Sequence, residues 1–148
     1  MNLTALQSNG LKLILTIVQN SESGPVQAPM IAEAEKLKVG YVGKILFKLR
    51  KAGLVNAVRG KNGGYELARE ATEISLYEVL KALEVKEFDA HICPNLKAGG
   101  NCSHSLDCSI RPVMKSIDDY IRKLTSGITL EDLAVEEKEM ARKLAGSS

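Results

Sequence analysis

Apolar residues fall at helical spacing over most of the chain. Leu6, Leu13, Ile14, Ile17 and Val18 predict an amphipathic first helix over about residues 3–20, with Gly10 a mild cost inside it. Residues 20–25, Asn-Ser-Glu-Ser-Gly-Pro, have loop composition. A second helix is expected over about 28–37, with Ile31, Ala34 and Leu37 inward, and 38–40 as a short turn. Val42, Ile45, Leu46 and Leu49 then stand at i, i+3, i+4 and i+7, a helical core stripe. Ala52-Gly53 ends that helix, the glycine supplying a left-handed cap. The period changes to two over 54–59, and 65–67 pairs back across Gly60-Lys-Asn-Gly-Gly64, a hairpin whose glycines permit positive φ.

A fourth helix is expected over about 76–83, with Leu76, Val79, Leu80 and Leu83 inward. From about 86 to 107 the chain turns polar. A long helix resumes near 109. Ile110, Val113 or Met114, Ile117, Ile121 and Leu124 repeat at close to 3.5 residues, a seam suited to packing against a second copy of itself. Pro112 fits its first turn, and Thr125-Ser-Gly127 closes it. Thr129 reads as the N-cap of a short helix with an acidic first turn, and 136–143 is a charged tail. The expected fold is therefore mostly α: a winged helix-turn-helix of three helices plus a two-stranded wing, with a long C-terminal dimerisation helix. The division expected is 1–84 for the winged domain, 85–108 for a cysteine-containing loop and 109–148 for the dimerisation helix and tail.

Composition narrows the class. Hydrophobic residues make up 45% of the chain and aromatics only 4%, so the core is aliphatic and favours helices. No apolar run approaches the roughly 18 residues a membrane span needs. The N-terminus lacks a basic leader and a small-residue cleavage site, so no signal peptide is expected and the location expected is cytoplasmic.

Charge supplies the first functional reading. Between Lys36 and Tyr65 there are eight Lys/Arg and no acids, against a whole-chain net charge of +2, which leaves −6 for the rest. On a helix alone this would be a solvated face. Joined to a glycine-tipped hairpin, it is the footprint of double-stranded DNA binding. Lys44, Lys48 and Lys51 lie off the apolar stripe, where they can hold phosphates. Lys38, Gly40 and Tyr41, just before the helix, can reach bases or backbone. Arg59, Gly60 and Lys61 form the wing tip, where a cation can enter a minor groove or pair with phosphate.

All three cysteines lie in one segment, Cys93, Cys102 and Cys108. The spacing matches neither a zinc ribbon nor a ferredoxin run. Residue chemistry leaves three readings open: a thiolate-bound metal or iron–sulfur cluster, thiol redox chemistry, or incidental cysteines. His91, His104 and Asp107 are weak further ligand candidates, a histidine in a polar loop being more often solvated. No catalytic constellation is present, and an enzyme is not expected.

The residues Leu3-Thr4, the run from Tyr41 to Val55, the motif Val58-Arg59-Gly-x-x-Gly-Gly-Tyr65-x-Leu-Ala68 and the three-cysteine segment resemble the IscR/NsrR-type regulators, the Rrf-two family, over about 2–134. The resemblance implies a homodimeric winged-helix transcription regulator. Its promoter affinity would be set by an iron–sulfur cluster, [2Fe-2S] or [4Fe-4S], on Cys93, Cys102 and Cys108. It also implies that Arg59 is the wing arginine. The chain departs from the pattern in its fourth ligand. Arg111 stands where one branch has a ligating histidine, and Ser8 and Lys12 where others have a ligand on the first helix. Gly43 stands where a DNA-reading glutamate is usual, which implies an altered operator preference. The alternatives are a clusterless repressor responding to thiol redox state or a partner protein, and an iron–sulfur carrier or electron-transfer protein on the same scaffold.

Overall fold

The computed structural model describes residues 3–83 and 108–146. Helix α1, Ala5–Gln19, begins at a reciprocal cap: Gln7 N–H donates to Thr4 Oγ1 at 3.3 Å, and Thr4 N–H donates to Gln7 Oε1 at 2.8 Å. Gly10 is there for contact rather than tolerated at a cost. A Cβ built on it would lie 2.4 Å from a methyl of buried Leu83, so α1 and the end of α4 meet across it.

Helix α2, Ala28–Ala34, carries Pro29 in its first turn. Its inner face is Ile31 and Ala32, with Leu37 partly buried beyond it. Ala34, expected inward, is exposed, because the helix is only two turns long and its buried side is set by Ile31. It ends in a Schellman motif. Leu37 N–H donates to Ala32 O at 2.8 Å and Lys36 N–H to Glu33 O at 3.2 Å, with Lys36 at φ 54 in the position usually given to glycine.

Helix α3, Val39–Lys51, follows directly, so Val39 and Gly40 belong to the helix rather than to the expected turn. Val42, Ile45, Leu46 and Leu49 are all fully buried against α1 and α2. Its end repeats the Schellman pattern, here with Gly53 at φ 72: Leu54 N–H donates to Leu49 O and Gly53 N–H to Arg50 O, each at 3.0 Å.

Strands β1, Val55–Val58, and β2, Gly64–Leu67, pair antiparallel with Val55 opposite Leu67 and Val58 opposite Gly64. On its other side β2 meets Val26. Val26 N–H donates to Tyr65 O at 2.9 Å, and Tyr65 N–H returns to Val26 O at 2.8 Å. The end of the 20–25 stretch, read from composition as loop, thus leads into the third element of the wing. Gly64 must lack a side chain there, since a Cβ would lie 2.6 Å from the Val26 backbone.

Helix α4, Leu76–Ala82, is opened by a Ser75–Glu78 capping box and buries Val79 and Leu80. Helix α5, Ile110–Ser126, packs on α4. The chain then turns back. Leu76 N–H donates to Ile128 O at 2.8 Å and Leu130 N–H to Ile74 O at 2.9 Å. Helix α6, Leu130–Leu133, capped by Thr129, inserts Leu130 fully into the core beside α1. The amino-terminal core is therefore completed by a residue from the far end of the chain. Helix α7, Glu137–Gly146, is exposed and tied back by Lys143 Nζ to Asp132 Oδ1 at 3.1 Å. No described helix is long and apolar enough to cross a membrane.

Candidate nucleic-acid interface

The apolar stripe of α3 fixes what the helix shows to solvent. With Val42, Ile45, Leu46 and Leu49 turned inward, Gly40, Lys44, Phe47 and Lys51 share the opposite face. Gly40, Gly43, Lys44, Phe47, Lys48 and Lys51 line an open groove that reaches Ala52 and, on α4, Ala82. Lys44 and Lys51 are exposed and Lys48 is half-buried. Lys38 precedes the helix and is exposed. It supplies no side-chain cap, and there is no acid in the first turn; Tyr41 N–H donates to Lys38 O at 2.9 Å, which leaves the Val39 and Gly40 N–H groups without a side-chain cap. Tyr41 is half-buried and packs against the core, so its ring is first a structural contact.

The wing tip is shaped by two glycines. Gly60 sits at φ 114, and a Cβ on Gly63 would overlap Val58 O, so the 59–63 turn closes tightly, with Gly63 N–H donating to Gly60 O at 3.0 Å. Arg59, Gly60 and Lys61 are exposed at that tip. Among the described residues, Lys38, Lys44, Lys51, Arg59 and Lys61 form no ion pair. The pairs that do form are elsewhere, such as Arg69–Glu78 at 2.7 Å and Lys115–Asp119 at 2.9 Å. A basic helix face and a basic hairpin tip with uncompensated charge make an anion-binding surface.

Glu78 steadies the exit of the wing. Its carboxylate accepts from Ser75 N–H at 2.9 Å and from Arg69 Nη2 at 2.7 Å. The backbone hydrogen bond from Ser75, and after it Arg69, hold its carboxyl below the usual range. Asp132 is lowered in the same way by the Thr129 backbone N–H, the Thr129 hydroxyl and Lys143.

Of the ligand candidates, Cys93, Cys102, His91, His104 and Asp107 lie outside the described residues. Cys108 is a free, half-buried thiol at the head of α5, where its carbonyl accepts from Arg111 N–H at 3.2 Å. A thiolate there would tie a soft metal or cluster directly to a helix, so the donor chemistry fits such a group. Arg111 is half-buried in the same first turn, and its guanidinium cannot ligate.

The seam expected on α5 divides. Ile110, Val113, Ile117, Tyr120 and Leu124 are exposed and stand three and four apart, as a heptad stripe. Met114 and Ile121 are half-buried, off that stripe. Tyr120, 68% exposed, also belongs to the stripe, although the aliphatic pattern does not include it. On the α4 side, the Arg122 guanidinium lies 5.7 Å from the centroid of the Tyr77 ring and pairs with Asp118 at 3.3 Å.

Comparison with known proteins gives a consistent result. The Rrf2 model, described as an iron-dependent transcriptional regulator, matches residues 3–136. The chain is 32% identical over 133 residues to the HTH-type transcriptional regulator IscR of Escherichia coli, covering 90% of this chain and 80% of that protein. Its structure is similar to CymR, the global cysteine regulator of B. subtilis, at TM-score 0.73 and 25% identity over 90% of this chain and 96% of that one. CymR of Staphylococcus aureus in an oxidized form gives TM-score 0.70 and 26% identity, covering 92% and 98%. T. potens IscR gives TM-score 0.71 and 28% identity, covering 90% and 85%. IscR and the family model describe transcriptional regulators, not enzymes.

Proposed function

Because this chain belongs to the Rrf2 family of transcriptional regulators, we propose that it binds operator DNA as a homodimer under control of an iron–sulfur cluster. In this reading α3 enters the major groove. Lys44, Lys48 and Lys51, with Lys38 and Gly40 at the helix start and Tyr41 packed behind them, hold the phosphates and fix the register. Arg59, flanked by Gly60 and Lys61, enters the minor groove at the wing. The exposed stripe Ile110, Val113, Ile117, Tyr120 and Leu124 pairs with its copy, and Met114 and Ile121 stiffen α5 from behind.

Cys93, Cys102 and Cys108 would hold the cluster, with the fourth ligand supplied by a residue other than Arg111. When bound, such a group supplies a thiolate-bound centre sensitive to oxidation, nitric oxide or iron status. The observation that carries control is connectivity. Cys108 heads α5, α5 packs on α4, and α4 contacts both α1 and α3. A change in how Cys108 is held therefore has a short mechanical route to the DNA-facing helix.

The test is anaerobic purification, with visible absorption and iron and sulfide counts on wild type and on Cys93→Ala, Cys102→Ala and Cys108→Ala. Iron and sulfide in near-equal amounts with the wild type, lost in each variant while the protein stays folded, is the expected result. A colourless wild type with three titratable thiols would instead favour thiol redox control. That second reading is supported by the likeness to a CymR solved in an oxidized form. It predicts operator binding that responds to peroxide and reverses with dithiothreitol in metal-free protein.

A further inference from the structure

The most anomalous side chain on the basic face is Phe47. It is 58% exposed, though α3 has a complete buried stripe elsewhere. It is not among the residues packed on the core. Helical spacing puts it one turn from Gly43 and Lys44 on one side and Lys51 on the other, on the face shared with Gly40. A Cβ built on Gly40 or Gly43 would meet nothing within 4 Å. The two glycines leave the helix surface low around the ring, and the lysines provide long cationic arms beside it. Such a face can sink into a groove walled by phosphates until the ring meets its floor.

On the floor of the major groove the thymine C5-methyl is the apolar group available for contact. Cytosine has only C5–H at the corresponding place, beside its N4 donor, and purines offer N7 and O6 or N6. A phenyl ring pressed on those polar edges would leave them without partners, at a cost. We propose that Phe47 is a specificity-determining residue that selects thymine at one position of each half-site by contact with its methyl group. This rests on α3 being the helix that enters the major groove.

The experiment starts with selection of sites from a random duplex pool by the full-length protein, wild type and Phe47→Ala. It then measures binding of the selected duplex with each thymine in turn replaced by uracil, which removes only the methyl. For wild type, one uracil replacement per half-site should weaken binding about fourfold, the worth of one buried methyl-sized group. Phe47→Ala should lose the thymine preference and become indifferent to that replacement. Its salt dependence should stay unchanged, because the phosphate contacts remain. Phe47→Leu should keep the preference. The ring is outside the core, so an unchanged melting temperature is expected for both variants.

A wild type that selects a site but ignores every uracil replacement would overturn the assignment. So would a Phe47→Ala protein that selects the same site with the same uracil sensitivity, or one altered only in oligomeric state. In those cases the recognition role of α3 survives. If wild type enriches no sequence at all, both that role and the thymine contact fall.

Discussion

Two glycines in helices show how little the residue type alone says. Gly10 and Gly43 both interrupt helices, and by propensity each costs up to about 1 kcal/mol relative to alanine. Their surroundings differ completely. A Cβ at 43 meets open space, whereas at 10 it would collide with both methyls of buried Leu83, which must then repack. Gly43→Ala should therefore raise unfolding stability by about 0.5–1 kcal/mol. Gly10→Ala should lower it by about 1–3 kcal/mol, the range for overpacking a filled core. Urea unfolding of the two variants checks both signs, and a stabilised Gly10→Ala would contradict the α1–α4 contact. If α3 enters the major groove as proposed, Gly43 stands on the DNA-facing side at a cost to stability.

At the scale of elements, side-chain caps fix where part of the scaffold begins. Helices α1, α4 and α6 open with reciprocal side-chain caps, while α2, α3 and α5 open with none. The α4 cap has a pH signature. Glu78 is lowered in the folded state, so the stability it contributes is complete above the unfolded carboxyl value of about 4.3 and is lost as pH falls through its folded value. Glu78→Gln keeps an acceptor for Ser75 N–H but removes the titration and the charge opposite Arg69. Acid unfolding below about pH 4.3 should be shallower for Glu78→Gln than for wild type. Equal slopes would remove Glu78 from the account. Ser75→Ala, which strips the cap at any pH, should cost about 1 kcal/mol by thermal or urea unfolding.

For the whole molecule, charge and apolar surface are sorted onto different elements. The window from Lys36 to Tyr65 carries +8 and the remainder −6, so phosphate should be drawn to one side of each subunit. The logarithm of the binding constant should fall linearly with the logarithm of salt, by about 0.9 per phosphate neutralised. Lys44→Gln should reduce that slope by about one per subunit, measured by fluorescence anisotropy at several salt concentrations. A constant that does not move with salt would remove the electrostatic account. The apolar counterpart is the α5 stripe. Ile117→Glu places a charge at its centre and should convert a dimer to monomer in analytical ultracentrifugation, with the winged domain still folded. A variant that remains dimeric would move the interface elsewhere.

Periodicity was enough to read the helices, the hairpin and the buried stripe of α3, because a repeat of 3.6 or 2 directly encodes which side is apolar. The cation cluster was legible for the same local reason. What sequence could not yield is contact between distant segments. Composition cannot show that Val26 pairs with Tyr65, since that depends on two backbone edges meeting. Nor does the short Thr129–Leu133 pattern reveal that Leu130 fills the core of a domain begun over 100 residues earlier. By residue type Gly10 is a defect in a helix; the Leu83 methyls lying against it make it a packing requirement. The seam of α5 read as one stripe because Met114, Ile121 and their neighbours are equally apolar in sequence. Only packing against α4 leaves Ile110, Val113, Ile117, Tyr120 and Leu124 facing outward. The sequence determined which elements form and where positive charge gathers, both properties of neighbouring residues. Tertiary structure decided which faces are used up inside the chain and which remain exposed, because burial depends on what lies opposite.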